Sequence, residues 1–542
     1  MHNSRLVPLC WLIGAVLWFL PLNTPHLFDP DEGRYGEIPR EMVASADWVT
    51  PRLDGIKYFE KPALQYWTTA AAYTLFGQHA WTVRLWPALT GFLGVLLTWL
   101  LAARVYDTRT AILAAVIQAS AILYLAMARI ATLDMSLSFT LQLALAALVW
   151  LAGAAERARH WPAAMLLGVG IALAVLTKGL VGILIPGAVG VLYLLVTRDW
   201  RLLLRAQPWW TLAALAVIAA PWFVVVSARN PEFAHFFFIH EHFERYLTRV
   251  HARYEPDWFF VPVLLLGFLP WTGLLPRTGV EAWRAVRRGE RPATMLLLWA
   301  VFVFAFFSVS QSKLIPYIVP MLPALSPLAG RALAGLAPER FAAQLRALAV
   351  CGLALGAAIL VAWKLPAAAA LVARASGAAV LGFGMAFLLL GLAAAVGARL
   401  APRRGLVAAT IATGCGGLLF AQTGLMAADA LPRMRAVTEL ARTLEAAVGP
   451  ATHLYCVEVF PQPIPLHLAR PCTLVAYRGE LDFGLTQEPQ RWIADLPEFV
   501  HRWQAESDAV AIVAPEALPQ LAALGLPDRV IYSAPSFVAV VR

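Results

Sequence analysis

The sequence predicts an all-α polytopic membrane protein of about thirteen transmembrane helices, followed by a small C-terminal α/β domain. Three observations predict it. Of 542 residues 60% are hydrophobic and the mean hydropathy is +0.67. That is more apolar surface than a water-soluble chain can hide, so lipid must be the solvent for most of it. Arginines recur in alternate loops between the apolar runs. After residue 430 the long apolar runs give way to short β-branched ones.

A helix crosses the hydrocarbon core with about 20 apolar residues. Runs of this kind lie near 6–22, 83–103, 110–127, 134–153, 162–177, 179–197, 209–227, 259–275, 293–309, 314–330, 345–363, 375–397 and 405–426. Residues 1–23 hold one arginine, an apolar run and no small-residue cleavage site, so they read as an uncleaved signal anchor and first span. Arg104 and Arg109, Arg157 and Arg159, Arg198, Arg201 and Arg205, Arg277 to Arg291, Arg331 to Arg346, and Arg399 to Arg404 fall in alternate loops. The positive-inside rule puts these loops and Arg5 in the cytoplasm, which also accounts for most of the +10 formal charge. The loop 23–82, the segment 228–258 and the C-terminal region then lie on the outer face. An odd number of spans delivers this alternation. No soluble basic segment is large enough for a nucleic-acid footprint.

Residues 1–429 thus form the membrane unit and 430–542 an α/β domain. PRMRAVTELARTLEAAVG reads as an amphipathic helix, HLYCVEVF, CTLVAYR, DAVAIVAP, RVIYSA and FVAVVR as strands, and LPEFVHRWQAES and EALPQLAALG as helices between them. No Gly-rich phosphate loop or nucleophile elbow is visible. Cys10, Cys351 and Cys415 sit in apolar runs and read as small core residues. Cys456 and Cys472 can pair as a disulfide if that region is extracytoplasmic.

Charge concentrates in the first loop. DPDEGRYGEIPREM packs Asp29, Asp31, Glu32, Arg34, Tyr35, Glu37, Arg40 and Glu41 together, in a chain only 14% charged. If EIPREMVASADW is an interfacial helix, Ile38, Met42 and Val43 face lipid, Pro39 lies in its first turn, and Asp31 serves as a cap. In YFEKPALQYW, Glu60 and Lys61 sit between aromatics that would anchor at the interface, where a lysine meets a lipid phosphate or merely snorkels. Arg84, Arg129, Asp134, Lys178, Lys313 and Tyr317 fall at the same ends of the spans. Charges at membrane depth are expensive, so those facing the bundle are functional candidates. Pro316 and Pro320 suggest irregular backbone lining a cavity. In HFFFIHEHFERY, His240 and His242 flank Glu241, with Arg245 following. Two histidines at i and i+2 can share a metal only on an extended or kinked backbone, with Glu60 completing the set. The bland alternative is an amphipathic helix with solvated histidines.

DPDEGRYGEIPREM, GIKYFEKPALQYW, ATLDMS, TKGLVG, FFIHEHFERY and SKLIPYIVPMLPAL together resemble, in order, the motifs of bacterial lipid A aminoarabinose transferases, in the protein O-mannosyltransferase-like branch of the GT-C glycosyltransferases. The resemblance covers the membrane region. It implies the GT-C fold, two interfacial helices in the first loop, an inner-membrane location and a periplasmic site and C-terminal domain. It implies transfer of aminoarabinose from undecaprenyl phosphate to a lipid A phosphate, conferring polymyxin resistance, by a chain expected to act as a monomer. Carried over by motif, Asp31 and Asp134 would be the catalytic acids. Lys61 and Arg245 would bind the carrier phosphate, helped by Arg34, Tyr35, Lys178, Lys313 and Tyr317. Glu60, His240 and His242 would hold a structural divalent metal, zinc by its ligand set. Asp29 receives no role. The competing readings are another polyprenyl-phosphate-sugar transferase, a lipid or secondary transporter, and a membrane sensor. Transporters commonly show paired repeats with a midplane site, which this polar clustering does not match.

Overall fold

The computed structural model describes residues 14–155, 158–244 (backbone alone for 241–244), 255–365, 376–526 and 529–542. Among them, seven helices are long and apolar enough to cross a membrane, and an eighth crossing results if Phe260–Gly267 and Thr272–Arg287, bent by 111°, count together. The chain is therefore a multi-pass membrane protein with a small C-terminal sheet.

The difference from the expected number of spans has physical causes. Gly377–Asp429 runs as 53 helical residues except at Gly405, where φ is +84°. At 1.5 Å per residue a straight helix of that length would reach about 80 Å, far beyond the hydrocarbon core. It is instead a hairpin: Gly382 lies against Ala427, Gly416 against Ala393, and Gly397 against Ala409 and Thr413. The run expected at 110–127 is broken at Ala121 into Thr108–Ser120 and Ile122–Met127. The prolines after Lys313 wind Ile315–Met321 as a 3₁₀ turn before the Leu322–Ala334 helix, the irregular backbone their spacing implies. The first half of the signal-anchor span lies outside the described residues. Cys351 and Cys415 are exposed on their helices rather than buried, and Cys10 lies outside the described residues.

The first loop is a folded unit. Helix α1 (Asp31–Ser45) leads through the short hairpin β1 (Arg52–Leu53) and β2 (Ile56–Lys57) to helix α2 (Leu64–Phe76). Asp54 and Gly55 turn the hairpin with φ of +58° and +75°, the pair of left-handed residues a tight two-residue turn requires. Two expectations are corrected here. Helix α1 begins at Asp31 rather than Glu37, so Pro30 occupies the capping position, Asp31 is the first helical residue, and Pro39 lies inside the helix. Ile38 and Met42 do not face lipid: they are fully buried in a core shared with Leu53, Leu454, Ile464 and Leu474, and only Val43 of that set is exposed. Tyr58, Phe59 and Tyr66 are likewise buried inside the protein, not at an interface.

That shared core joins the loop to a six-stranded C-terminal sheet. β3 (His453–Val457), β4 (Thr473–Val475), β5 (Trp492–Ile493), β6 (Ala509–Val513), β7 (Arg529–Ser533) and β8 (Val538–Val541) lie in the order β5-β4-β3-β6-β8-β7. The first four pair in parallel and β8 is antiparallel to both neighbours. Five of these strands, the Pro432–Ala447 helix and the Leu496–Ala505 helix fall where the sequence places them. Cys456 and Cys472 are disulfide-bonded, 6.0 Å apart at Cα. Helix α3 (Pro463–Leu468), which the sequence does not advertise, abuts α1. A Cβ on Gly33 would sit 2.4 Å from Pro463 N, and one on Gly36 2.6 Å from Leu466 Cδ2. Only glycine allows this approach, and it sets the C-terminal sheet directly over the charged turn of α1.

Candidate active site

The first turn of α1 aims Arg34 at the centre of the cluster. Its guanidinium is buried and pairs with Asp31 one turn back and with Glu480 from the C-terminal domain. It also donates to Tyr58 Oη at 3.1 Å. Asp31 keeps half of its side chain exposed, so it presents a carboxylate outward from a fixed base. Gln462 Nε2 donates to Glu480 Oε1, and Gln462 N donates to Asp29 Oδ1 at 3.1 Å. Desolvation, opposed by the Gln462 N–H bond and by Arg34 and reinforced by the Glu480 and Asp31 charges, pushes the Asp29 carboxyl up to about 6. Burial likewise raises Glu480, against the pull of Arg34, and the charges of Glu60 and Asp31 both face it.

A second group comes from the bundle. The helix Leu133–Gly153 starts with Thr132 as its cap and carries Asp134 in its first turn. Lys178, the last residue of the helix Trp161–Lys178, reaches Asp134 Oδ1 at 2.6 Å. Its ammonium sits 4.6 Å from the ring centre of Tyr317, a cation–π pair. Tyr35 links the groups: its ring stacks on Tyr66, and its phenol faces the charges of Asp31 and Asp134 alike. Asp31, Arg34, Tyr35, Asp134, Lys178 and Tyr317 are therefore gathered at one end of the bundle.

The remaining candidates divide. Lys61 Nζ lies 3.7 Å from Glu60 Oε2 and donates to Glu60 O at 2.7 Å. His240 stacks on Phe236, Phe236 on Phe483, and Phe483 packs against Phe59 beside Glu60. Lys313 is engaged elsewhere. It donates to Glu255 O at 3.0 Å and pairs with Asp257, holding that segment four residues before Tyr317. Arg245 and the His242 side chain lie outside the described residues. Residues 236–244 wind as a π-helix, which turns positions two apart away from each other. Among the described residues no three His, Cys, Asp or Glu side chains come together as a metal site would require.

Arg84 is structural. It forks onto Glu32 at 2.7 and 2.6 Å, both side chains are wholly buried, and it also donates to the Leu22, Pro25 and His26 carbonyls. Glu32 in turn accepts from Phe28 N and Ala131 N. This pair ties the first loop to the bundle. The start of the segment 228–258 is pinned to the same loop by Lys57–Glu232 at 2.7 Å and Asn230–Thr50 at 3.0 Å. Sequence reading missed Glu480, Gln462 and Tyr58. The only signal for the first two is a glutamate and a glutamine in a domain without a motif, and their relevance appears only once α3 is seen against Gly33.

Residues 440–542 match the family model described as the aminoarabinose transferase C-terminal domain, and residues 5–237 match that of dolichyl-phosphate-mannose-protein mannosyltransferase. The chain is 36% identical over 334 residues to the undecaprenyl phosphate-alpha-4-amino-4-deoxy-L-arabinose arabinosyl transferase of Pseudomonas aeruginosa, 61% of this chain and 60% of the relative. It is 34% identical over 331 residues to the protein of the same name from Erwinia tasmaniensis, 61% of this chain and 59% of the relative. The matched stretch thus spans about 60% of the length of these curated relatives. Among solved structures, ArnT from Cupriavidus metallidurans bound to undecaprenyl phosphate superposes with a TM-score of 0.90 at 36% identity, covering 100% of this chain and 98% of that one. An archaeal oligosaccharyltransferase from Archaeoglobus fulgidus shares the fold alone, with a TM-score of 0.55 at 15% identity over 95% of this chain and 70% of that one.

Proposed function

The chain belongs to the aminoarabinose transferase family, and from that premise we propose that it moves aminoarabinose from undecaprenyl phosphate to a phosphate of lipid A. The observation that carries the reading is the meeting of Asp31, Arg34 and Glu480 with Asp134 and Lys178 around Tyr35, acids and bases from distant parts of the chain. The curated relatives and the solved ArnT complex, by their names, act on or bind the same carrier.

In the transfer, the acceptor phosphate oxygen forms a bond to the sugar C1 as the C1–O bond to the carrier phosphate breaks. Negative charge grows on the departing lipid phosphate, and cations aimed at it lower the barrier. Lys61 and Arg245 take that role, with Lys178 lending positive potential and the Tyr35 and Tyr317 hydroxyls orienting the sugar; Arg34, neutralised by Asp31 and Glu480, and Lys313, held by Glu255 and Asp257, shape the site rather than charge it. The anomeric centre becomes electron-poor, and Asp134 or Asp31 stabilises it. A phosphate monoester has a second pKa of about 6, so it arrives largely as a dianion and needs little base. Asp31 then positions the acceptor and takes a proton only from its monoprotonated fraction. One displacement inverts the anomeric carbon without a covalent intermediate.

The same reading gives about thirteen crossings, an inner-membrane location, a periplasmic site and C-terminal domain, and resistance to polymyxin through a less negative lipid A. It includes a structural divalent ion held by Glu60, His240 and His242; the ring contacts from His240 through Phe236 and Phe483 to Phe59, the neighbour of Glu60, support it. Zinc accepts both donor types and would brace those contacts. Metal analysis of the purified protein, before and after Glu60→Gln, tests it: a stoichiometric metal lost in the variant supports the site, and none in the wild type removes it.

The mannosyltransferase model over residues 5–237 favours a second reading, transfer of another polyprenyl-linked sugar. Purified protein incubated with lipid A and lipid-linked sugars, followed by mass spectrometry, separates the two. An aminoarabinose adduct on lipid A is the expected product. A hexose adduct, or no adduct on lipid A, overturns the first reading.

A further inference from the structure

The Arg34 cluster is short of positive charge and has an acceptor to spare. Asp29, Asp31 and Glu480 face one guanidinium, that of Arg34. Gln462 is 3% exposed and its Nε2 is committed to Glu480 Oε1, so its own carbonyl oxygen lies in the same cluster. That oxygen, Gln462 Oε1, has no hydrogen-bond partner among the described residues. A buried amide oxygen without a donor is costly, and three carboxylates around a single guanidinium leave negative charge unbalanced. Both deficits call for one ligand type: a compact cation with several N–H donors. An ammonium carries three donors, and Asp29, Glu480 and Gln462 Oε1 supply three acceptors.

We propose that Asp29, Glu480 and Gln462 form the subsite for the ammonium group of the donor sugar. The inference rests on the aminoarabinose reading above and goes beyond it. It gives Asp29 a role and makes the C-terminal domain, the source of Glu480 and Gln462, the part of the molecule that selects the donor. Lys61 and the bundle hold the carrier phosphate, and the domain laid over Gly33 reads whether the sugar carries a positive charge. An uncharged substituent in the same place would leave the acids facing one another with only Arg34 between them, so neutral sugars on the same carrier are rejected by unpaired charge.

The test uses the full-length protein with two undecaprenyl-phosphate donors, one with the free 4-amino group and one with that group acetylated. Wild-type protein should prefer the ammonium donor. Asp29→Asn and Glu480→Gln should each raise KM for it by about 10- to 100-fold, the span expected for hydrogen bonds to charge, and narrow the preference between donors. Gln462→Met, similar in volume but without the acceptor, should raise KM by less and leave kcat nearly intact. Undecaprenyl phosphate itself has no ammonium, so it should inhibit every variant with wild-type potency, which also reports a folded site. Variants that keep the wild-type preference between donors overturn the subsite. A wild-type protein that transfers neither donor overturns the activity itself, and the subsite with it.

Discussion

Arg34 and Arg84 sit on neighbouring parts of the chain and carry the same charge, yet their surroundings give them opposite roles. Arg34 holds partners that are partly exposed and face the cluster, whereas Arg84 and Glu32 are sealed from water with every polar atom used. Asp31→Asn should therefore leave the fold alone, because Arg34 keeps Glu480 and Tyr58 and the lost carboxylate is half-exposed. It should lower kcat about 10²- to 10⁴-fold, the range for a lost acid–base or charge-stabilising group, with the melting temperature unchanged. A variant near wild-type turnover would remove Asp31 from the chemistry. Arg84→Met should do the reverse. It strands a wholly buried Glu32, and removing one partner of such a pair costs about 3–5 kcal/mol. The melting temperature in detergent should fall by several degrees. Both residues are equally visible in the sequence as rare charges near apolar runs. What separates them, full burial with complete hydrogen bonding against a shared and half-open cluster, is a property of the packed chain.

Among the elements, α1 decides how much of the site exists. Its two glycines let α3 approach so closely that Gly33→Ala forces a Cβ to within 2.4 Å of Pro463 N, a backbone atom with nowhere to move. Overpacking of this kind costs about 1–3 kcal/mol. Here it should lift the C-terminal domain from the loop, part Glu480 from Arg34, lower transfer, and expose residues 430–542 to limited proteolysis. Unchanged proteolysis would mean the contact yields without undocking. The same seam is built to respond to pH. Glu41 accepts from Gly55 N, and burial, with the neighbouring Glu37, pushes it up to about 8; the wholly buried Asp54 accepts from Cys472 N at 2.7 Å and is also raised, burial again dominating. Groups with raised carboxyl pKa values bind more protons folded than unfolded, so stability falls as pH rises from their ordinary range through about 8. Melting should occur at a higher temperature at pH 5.5 than at pH 8.5, and Glu41→Gln should flatten that slope; a slope of opposite sign would contradict it. The charged composition of the loop was legible in the sequence, as was the α/β character of the C-terminal region. Their docking was not, because Gly33, Gly36 and Asp54 are ordinary turn and helix residues until a partner backbone is placed against them.

At the scale of the whole molecule, the apolar runs were legible because lipid imposes a length and a composition on every crossing. One joint was legible as well, the basic stretch Arg399–Arg404 between the runs 375–397 and 405–426, and Gly405 is where the backbone turns back to make two antiparallel segments; the break at Ala121 was not, because it falls inside an unbroken apolar run. Topology depends on such joints, since one hairpin more or fewer exchanges the faces of everything after it. With the Gly405 hairpin counted as two crossings, Arg399, Arg403 and Arg404 lie at its tip, for which the positive-inside rule predicts a cytoplasmic position. The segment returning to Asp429 then carries the C-terminal sheet to the other face, the same face as the first loop it packs against. That packing is an independent constraint, because α1 and α3 cannot touch across a bilayer. Single cysteines at Arg403 and His501, in a chain without Cys10, Cys351 and Cys415, test the arrangement with an impermeant maleimide on cells whose outer membrane has been opened. His501→Cys should label in intact cells and Arg403→Cys only after lysis. Labelling of both from outside would break the hairpin, and labelling of Arg403→Cys alone would invert the protein, placing the Asp31 cluster in the cytoplasm.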